Sequence, residues 1–393
     1  MAEKGYLMTP GPTPIPPVVQ EAMAKPIVYH RGPEFGDLLA RVLPRLGEVF
    51  RTSNDVAMLT GSGTAAMESA VANLCSPGDR VAVVSAGNFG ERWVEIARRY
   101  RCDVAQLSYP WGETPDPVEV AARLAAVDGV RVVYCTHCET STGVVSDVRG
   151  LAGAARSVGA ISVVDAISSL GAVPLEQDEW GIDVLVSGSQ KGLMTPPGLA
   201  FASVSERGLE ASRQTSSPRF YLDWERTLRG QAELRPPFTP AVSLVFGLEA
   251  ALDLLLSDGL ETAWERARCL GRACREGVKA MGLELYSPDE DRSSVVTAVR
   301  VPAGADGVAV LRAMRERSGV TAAGGQGELK GKVVRIGHIG AVDLADVIAA
   351  LAALGRAVAD QGVEVDVERG LERAREEHEA SHASPGARHA GAG

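Results

Sequence analysis

From residue 55 to residue 203 the chain alternates short, apolar, β-branched runs with stretches of helical length, and this constrains the fold more than any other feature. Residues 55–60, 80–85, 131–136, 160–167, 183–187 and 199–203 read as strands. Residues 64–75, 90–101 and 148–158 read as helices between them. Such alternation predicts an α/β domain with a mostly parallel sheet covered by helices. A chain of 393 residues is too long for one ordinary core. Two long helices, at 240–257 and 260–281, lead into a strand at 294–301, a helix at 305–317, a strand at 332–336 and a helix at 341–360, read as a smaller α+β domain. The expected division is an N-terminal segment at 1–20, a large domain at 21–258, a small C-terminal domain at 259–365 and a tail at 366–393. Five prolines between Pro10 and Pro17 predict that the first segment is extended or turned rather than helical. The tail is charged, then small and polar, and reads as disordered after a helical start. Its His378, His382 and His389 read as solvated rather than metal-binding.

The formal net charge of −10 leaves no electrostatic footprint for nucleic acid. An anionic substrate must therefore be held by a few local cations or backbone N–H groups. No apolar run has the length to span a bilayer, and the proline-rich start lacks a secretory core. The cytoplasm is the expected location. Six cysteines in so long a chain make no disulfide framework. Cys135 and Cys138 flank His137 in a C-x-x-C, but no second ligand pair accompanies them. A strand end passing into a loop explains them better than zinc.

Three places carry chemistry. Gly61-Ser62-Gly63-Thr64 follows a strand and opens a helix, which suits an anion, because free N–H groups and hydroxyls converge there. It is neither a dinucleotide fingerprint nor a P-loop. Alone, a tight turn with a Thr cap explains it about as well. Asp165 ends an apolar strand, at the sheet edge where α/β folds bind ligands; a helix cap is the plainer reading. Lys191 directly follows another strand, in a turn of small residues. Burial there disfavours its charge, and a partly neutral lysine amine attacks aldehydes. An anion cradle, a carboxylate for a ring nitrogen and a lysine for an aldehyde together suit pyridoxal phosphate.

The chain resembles the class V aminotransferases of fold type I, and most closely their alanine–glyoxylate and serine–glyoxylate (serine–pyruvate) branch. The resemblance covers nearly the whole chain up to the tail. It rests on Thr9-Pro10-Gly11-Pro12, Gly61-Ser62-Gly63-Thr64, Thr136-His137-Cys138-Glu139-Thr140-Ser141-Thr142-Gly143, Val164-Asp165, Ser187-Gly188-Ser189-Gln190-Lys191, Pro196-Pro197-Gly198 and Val334-Arg335-Ile336-Gly337. It implies pyridoxal 5'-phosphate as cofactor, Lys191 as its Schiff-base lysine and Asp165 at the pyridine nitrogen. Ser62, Gly63, Thr64 and Gln190 would surround the phosphate, and Thr140 would lie near the ring hydroxyl. Phe89 would stack on the ring, where the family often has tryptophan. Thr239 would reach the phosphate held by a partner chain, since family sites lie at a homodimer interface, with Phe238 where some members have tyrosine. Arg335, with Gly11, would bind the substrate, its guanidinium gripping the carboxylate. The implied reaction is a ping-pong transfer from alanine or serine to a 2-oxo acid such as glyoxylate or pyruvate.

Rival readings share the fold. Cysteine desulfurases tend to place a histidine before the lysine, where Gln190 stands. Cys269 and Cys274 fall in a helical pattern that suits structural cysteines. Transamination of phosphoserine, aminoethylphosphonate or ureidoglycine stays open, and so does a non-catalytic role as a subunit of a larger complex. Loops around Tyr29, His30 and Arg31 could bring cations from a partner chain.

Overall fold

A computed structural model describes residues 5–288 and 293–382. Its centre is a seven-stranded sheet in the order Val56–Gly61, Gly198–Val204, Val184–Gly188, Ile161–Asp165, Val132–Thr136, Arg80–Ser85, Asp103–Ser108. Only Gly198–Val204 runs against the rest; it is hydrogen-bonded antiparallel to both of its neighbours. Successive residues of the inner strands feed two different cores. Val133 and Cys135 pack on one face of the sheet, and Val132 and Tyr134 on the other. Burial on both faces is why these strands are apolar throughout rather than alternating. The outer strand Asp103–Ser108 has Asp103, Gln106 and Ser108 and only one buried residue, Leu107, so its sequence carries no apolar run. Helix Pro33–Phe50, also absent from the sequence reading, packs Phe35, Leu38, Leu39, Val42 and Leu46 on the first core.

The second unit is a three-stranded antiparallel sheet, with Val333–Gly337 between Val296–Arg300 and Ala323–Gly324. Helices Leu260–Ala280, Gly307–Ser318 and Leu344–Ala359 share its core with Met8. The N-terminal segment is tied to this unit. Tyr6–Leu7 pairs with Val320–Thr321, and Gly337 N donates to Met8 O at 2.7 Å.

Two expectations need correction. The segment at 1–20 is not extended to its end, because Pro17 opens helix Pro17–Met23. Proline is tolerated at a first helical position, where its missing N–H is not needed. The charged stretch from 366 is helical through His382 and lies along Leu260–Ala280. Leu371 and Ala374 are buried, Gly277 and Gly370 let the backbones close, and Arg272 pairs with the buried Glu377 at 2.5 Å. A short seam of small residues and one ion pair thus replaces the broad apolar stripe by which a helix is usually recognised. His389 lies outside the described residues.

Candidate active site

The parallel strands end at one edge of the sheet and deliver the chemistry there. Val56–Gly61 runs into Ser62 and helix Gly63–Leu74; Arg80–Ser85 leads to Gly87 and helix Asn88–Arg99. Val132–Thr136 leads to Glu139 and Thr140, Ile161–Asp165 ends on the aspartate itself, and Val184–Gly188 stops three residues before Lys191. Carboxyl ends of parallel strands are where α/β sheets bind ligands.

Lys191 is 8% exposed, and its Nζ donates to Pro10 O at 2.7 Å. Burial pulls its pKa down to about 8; Arg335 and Arg92 push the same way, while Cys138 and Asp165 oppose. The segment that crosses the lysine needs a glycine. Gly11 has φ of +142°, and a Cβ there would lie 2.3 Å from the lysine side chain. Thr13 fastens the same crossing, its hydroxyl donating to Lys191 O at 3.1 Å.

Asp165 is buried, and burial lifts its pKa to about 7, moderated by Ile167 N, which donates to Oδ1 at 2.8 Å. A second carboxylate sits close by. Glu139 is 3% exposed and accepts from Phe89 N and Gly90 N, both at 3.0 Å. It also takes bonds from the backbone and hydroxyl of Ser141. Burial raises its pKa, and these four donors pull it back. Gly87 leaves the space it needs, since a Cβ there would meet Glu139 at 2.4 Å.

Arg335 is 5% exposed, on strand Val333–Gly337. Its Nε donates to Gly324 O and its Nη1 to Thr140 O, each at 2.8 Å. Burial lowers its pKa to about 10, and the Glu139 charge works against that. Nη2 has no acceptor among the described residues, so one edge of the fork is open to a ligand.

At the cradle, Ser62 precedes helix Gly63–Leu74 but makes no side-chain cap bond, so its hydroxyl is unused by the helix. Gly63 and Gly188 lie back to back, with Gly63 Cα 3.1 Å from where a Gly188 Cβ would stand; Gln190 Oε1 is 3.0 Å from it. Phe89 sits in the first turn of helix Asn88–Arg99. Arg92, one turn on, lies 4.8 Å from its ring centre and donates to Thr64 Oγ1 at 3.4 Å. Thr239 is exposed, in the loop that leads to helix Val242–Leu256. Nearby, Ala241 N donates to Thr60 Oγ1 at 3.2 Å; among the described residues Thr239 makes no side-chain hydrogen bond to Lys191, whose Nζ donates to Pro10 O. The structure therefore gathers the other expected residues at one sheet edge and leaves Thr239 on the surface. Arg92 and Glu139 join the site here for the first time. Glu139 lies within the Thr136–Gly143 motif, and Arg92 shares a helix face with Phe89, three positions on, which is its one signal in the sequence.

The C-x-x-C is built into the protein interior. Cys135 and Cys138 are both buried, and burial pushes each thiol up to about 12. Cys138 is bonded to Ser293 and His137 to Ser169. A cavity of about 460 Å³ opens behind the lysine turn, lined by Gly192, Met194, Arg266 and His338 among others; neither Asp165 nor Ser62–Thr64 faces it. The site is accordingly placed by the converging groups rather than by this cavity.

A profile of the family described as "Aminotransferase class-V" matches residues 5–335. The chain belongs to the class V aminotransferases. It is 41% identical over 368 residues to the small subunit of a soluble hydrogenase from Synechococcus, covering 92% of this chain and 95% of that one. It is 35% identical to an L-aspartate–glyoxylate aminotransferase from Paracoccus denitrificans, covering 96% and 97%. An alanine–glyoxylate aminotransferase from Nostoc superposes with a TM-score of 0.87 at 34% identity, covering 91% and 96%. This class V aminotransferase has fold type I, and its cofactor is pyridoxal 5'-phosphate. The residues present fit that group. Thr140 Oγ1 is buried with no partner among the described residues, and so is Gln190 Oε1, an acceptor whose amide must turn over to offer N–H groups to a phosphate; a polar group left so costs about 1–3 kcal/mol unless a ligand satisfies it. Among the described residues no helix is long and apolar enough to cross a membrane.

Proposed function

We propose that this class V aminotransferase moves the amino group of a small amino acid, alanine or serine, to glyoxylate or pyruvate in two half-reactions at one site. Lys191 holds the cofactor aldehyde, Asp165 the ring nitrogen, and Ser62, Gly63, Thr64 and Gln190 the phosphate. Thr140 lies at the ring hydroxyl, and Phe89 against the ring. When bound, the cofactor supplies an electron sink for the charge left at the donor's Cα. Lys191 Nζ, when free of the aldehyde, would be the group that accepts the donor's Cα proton and gives it back. A pKa near 8 leaves a useful fraction of that amine neutral at physiological pH. Asp165 stays ionised against a protonated ring nitrogen, whose charge offsets the burial that otherwise favours its neutral form.

The observation that carries the substrate reading is Arg335. A guanidinium anchored through two of its nitrogens, with the third unused, is preorganised for an α-carboxylate. Gly11 leaves the donor room beside the lysine. The other cation acting on Lys191 is Arg92, which leans toward Thr64 and Phe89 rather than toward a side-chain subsite. Among the described residues of this chain, a second carboxylate or a phosphonate on the donor would have only Arg92 as a further cation, and that one is turned to Thr64 and Phe89.

The working unit is a homodimer in which Thr239 reaches the partner's phosphate. Support comes from an exposed aromatic patch beside that residue. Phe220 is 65% exposed and Tyr221 42%, and both rings pack on Phe238. Large exposed apolar patches mark interaction surfaces.

The test is a panel of amino donors with glyoxylate and pyruvate, using purified protein carrying its cofactor. Alanine and serine should give the highest kcat/KM. A clear preference for aspartate, phosphoserine, ureidoglycine or an aminophosphonate would overturn the substrate reading, and no turnover with any donor would favour a subunit role.

A further inference from the structure

The groups proposed around the cofactor phosphate are all uncharged: three hydroxyls, counting Thr239 from a second copy of the chain, a glycine and an amide. A phosphate monoester carries about −1.5 to −2 charges at neutral pH. The N-terminus of helix Gly63–Leu74 offers roughly +0.5 of a charge. The other helix that starts at this edge, Asn88–Arg99, cannot help, because Glu139 already occupies its first N–H groups. The protein as a whole, at −10, opposes an anion. A cation is therefore missing from the account.

We infer that Arg92 is that cation, a cofactor-binding residue that neutralises the phosphate at the start of helix Gly63–Leu74. Its guanidinium already stands at Thr64 Oγ1, 3.4 Å away, and over the Phe89 ring. Both neighbours are residues assigned to the same cofactor. No carboxylate forms an ion pair with Arg92 among the described residues, although half-buried arginines elsewhere in the chain find one, as Arg51 and Arg131 do. A phosphate oxygen accepting from Thr64 would lie within ~6 Å of the nearer guanidinium nitrogen before any side chain moves. At that distance the two charges still attract one another, and a direct contact needs the side chain to swing toward the phosphate. Position three along the helix from Phe89 keeps both on one face, so the ring and the charge are delivered together.

This assignment rests on the phosphate lying at Ser62–Thr64, and the test separates the two ideas. Dissociation constants for pyridoxal phosphate and for pyridoxal, which lacks the phosphate, are measured on cofactor-stripped protein by equilibrium dialysis. The quantity read is the preference for the phosphorylated form. Arg92→Gln should cut that preference at least ten-fold, and Arg92→Lys should retain most of it. Inorganic phosphate should compete with the cofactor less well in Arg92→Gln than in the natural protein. If Arg92→Gln weakens both ligands equally, the residue only props Phe89, and the inference falls. If Thr64→Ala lowers the preference and Arg92→Gln does not, the inference falls while the phosphate placement stands. If neither lowers it, both fall. Arg92→Lys, with its thermal melting curve, guards against reading a folding defect as lost charge.

Discussion

At the scale of single residues, the site is a set of ionisable groups kept out of water. Arg335 gives the plainest expectation. Removing one partner of a desolvated charged pair costs about 2–5 kcal/mol. Arg335→Ala should therefore lower kcat/KM for amino acids by roughly 30-fold to several thousand-fold, and much less for amines without a carboxylate. Equal losses for both donor types in steady-state kinetics would refute the carboxylate role. Asp165 gives a pH-dependent one. Its folded pKa of about 7 lies above the 3.8 of an unperturbed aspartate. The fold thus favours the neutral acid, and the stability it contributes is complete below 3.8 and lost as pH rises to about 7. Lys191 is the converse case: its contribution is complete above 10.5 and lost as pH falls through about 8. Near neutral pH the cofactor-stripped protein bears both costs. Asp165→Asn should raise its melting temperature, by more at about pH 8 than at about pH 5. The same gain at both pH values in calorimetry would show that Asp165 is not buried as described. These single residues were also the most legible part of the sequence, because Asp165 ends one apolar strand and Lys191 stands in the small-residue turn after another. Arg92 was less legible: its one signal is the helix face it shares with Phe89, and arginines are common on the helices of this chain.

At the scale of elements, the helices that frame the cofactor are held by their first turns. Glu139 accepts two N–H bonds from helix Asn88–Arg99, and that helix carries Phe89 and Arg92. Bonds to a charged acceptor are worth about 1.5–3 kcal/mol. Glu139→Gln should lower the melting temperature of the loaded enzyme and weaken cofactor binding together. An unchanged melting curve would mean that Ser141 alone fixes this corner. The inner strands and the long helices between residues 240 and 281 were legible because burial on both faces or on one stripe writes itself into composition. Among the elements that were not are helix Pro33–Phe50 and three others. The outer strand Asp103–Ser108 is half solvent-facing, the start of helix Pro17–Met23 is masked by prolines, and helix Val367–His382 docks through Gly277, Gly370 and Ala374 rather than through large apolar side chains.

For the molecule as a whole, one fold type I frame brings together residues from Gly11 to Arg335, with the N-terminal segment crossing from the small sheet to Lys191. The order of motifs made this frame legible early, whereas the partner of the exposed Phe220–Phe238 patch is written in no single chain. Light scattering should give a dimer whose dissociation removes activity; a fully active monomer would contradict the role given to Thr239. The central claim is that Lys191 carries the cofactor. Borohydride reduction of the loaded enzyme, followed by proteolysis and mass spectrometry, tests it most directly. One reduced pyridoxyl adduct is expected, on the peptide containing Lys191, and none in Lys191→Ala. An adduct on another lysine, or no adduct in a protein that still transaminates, would contradict it.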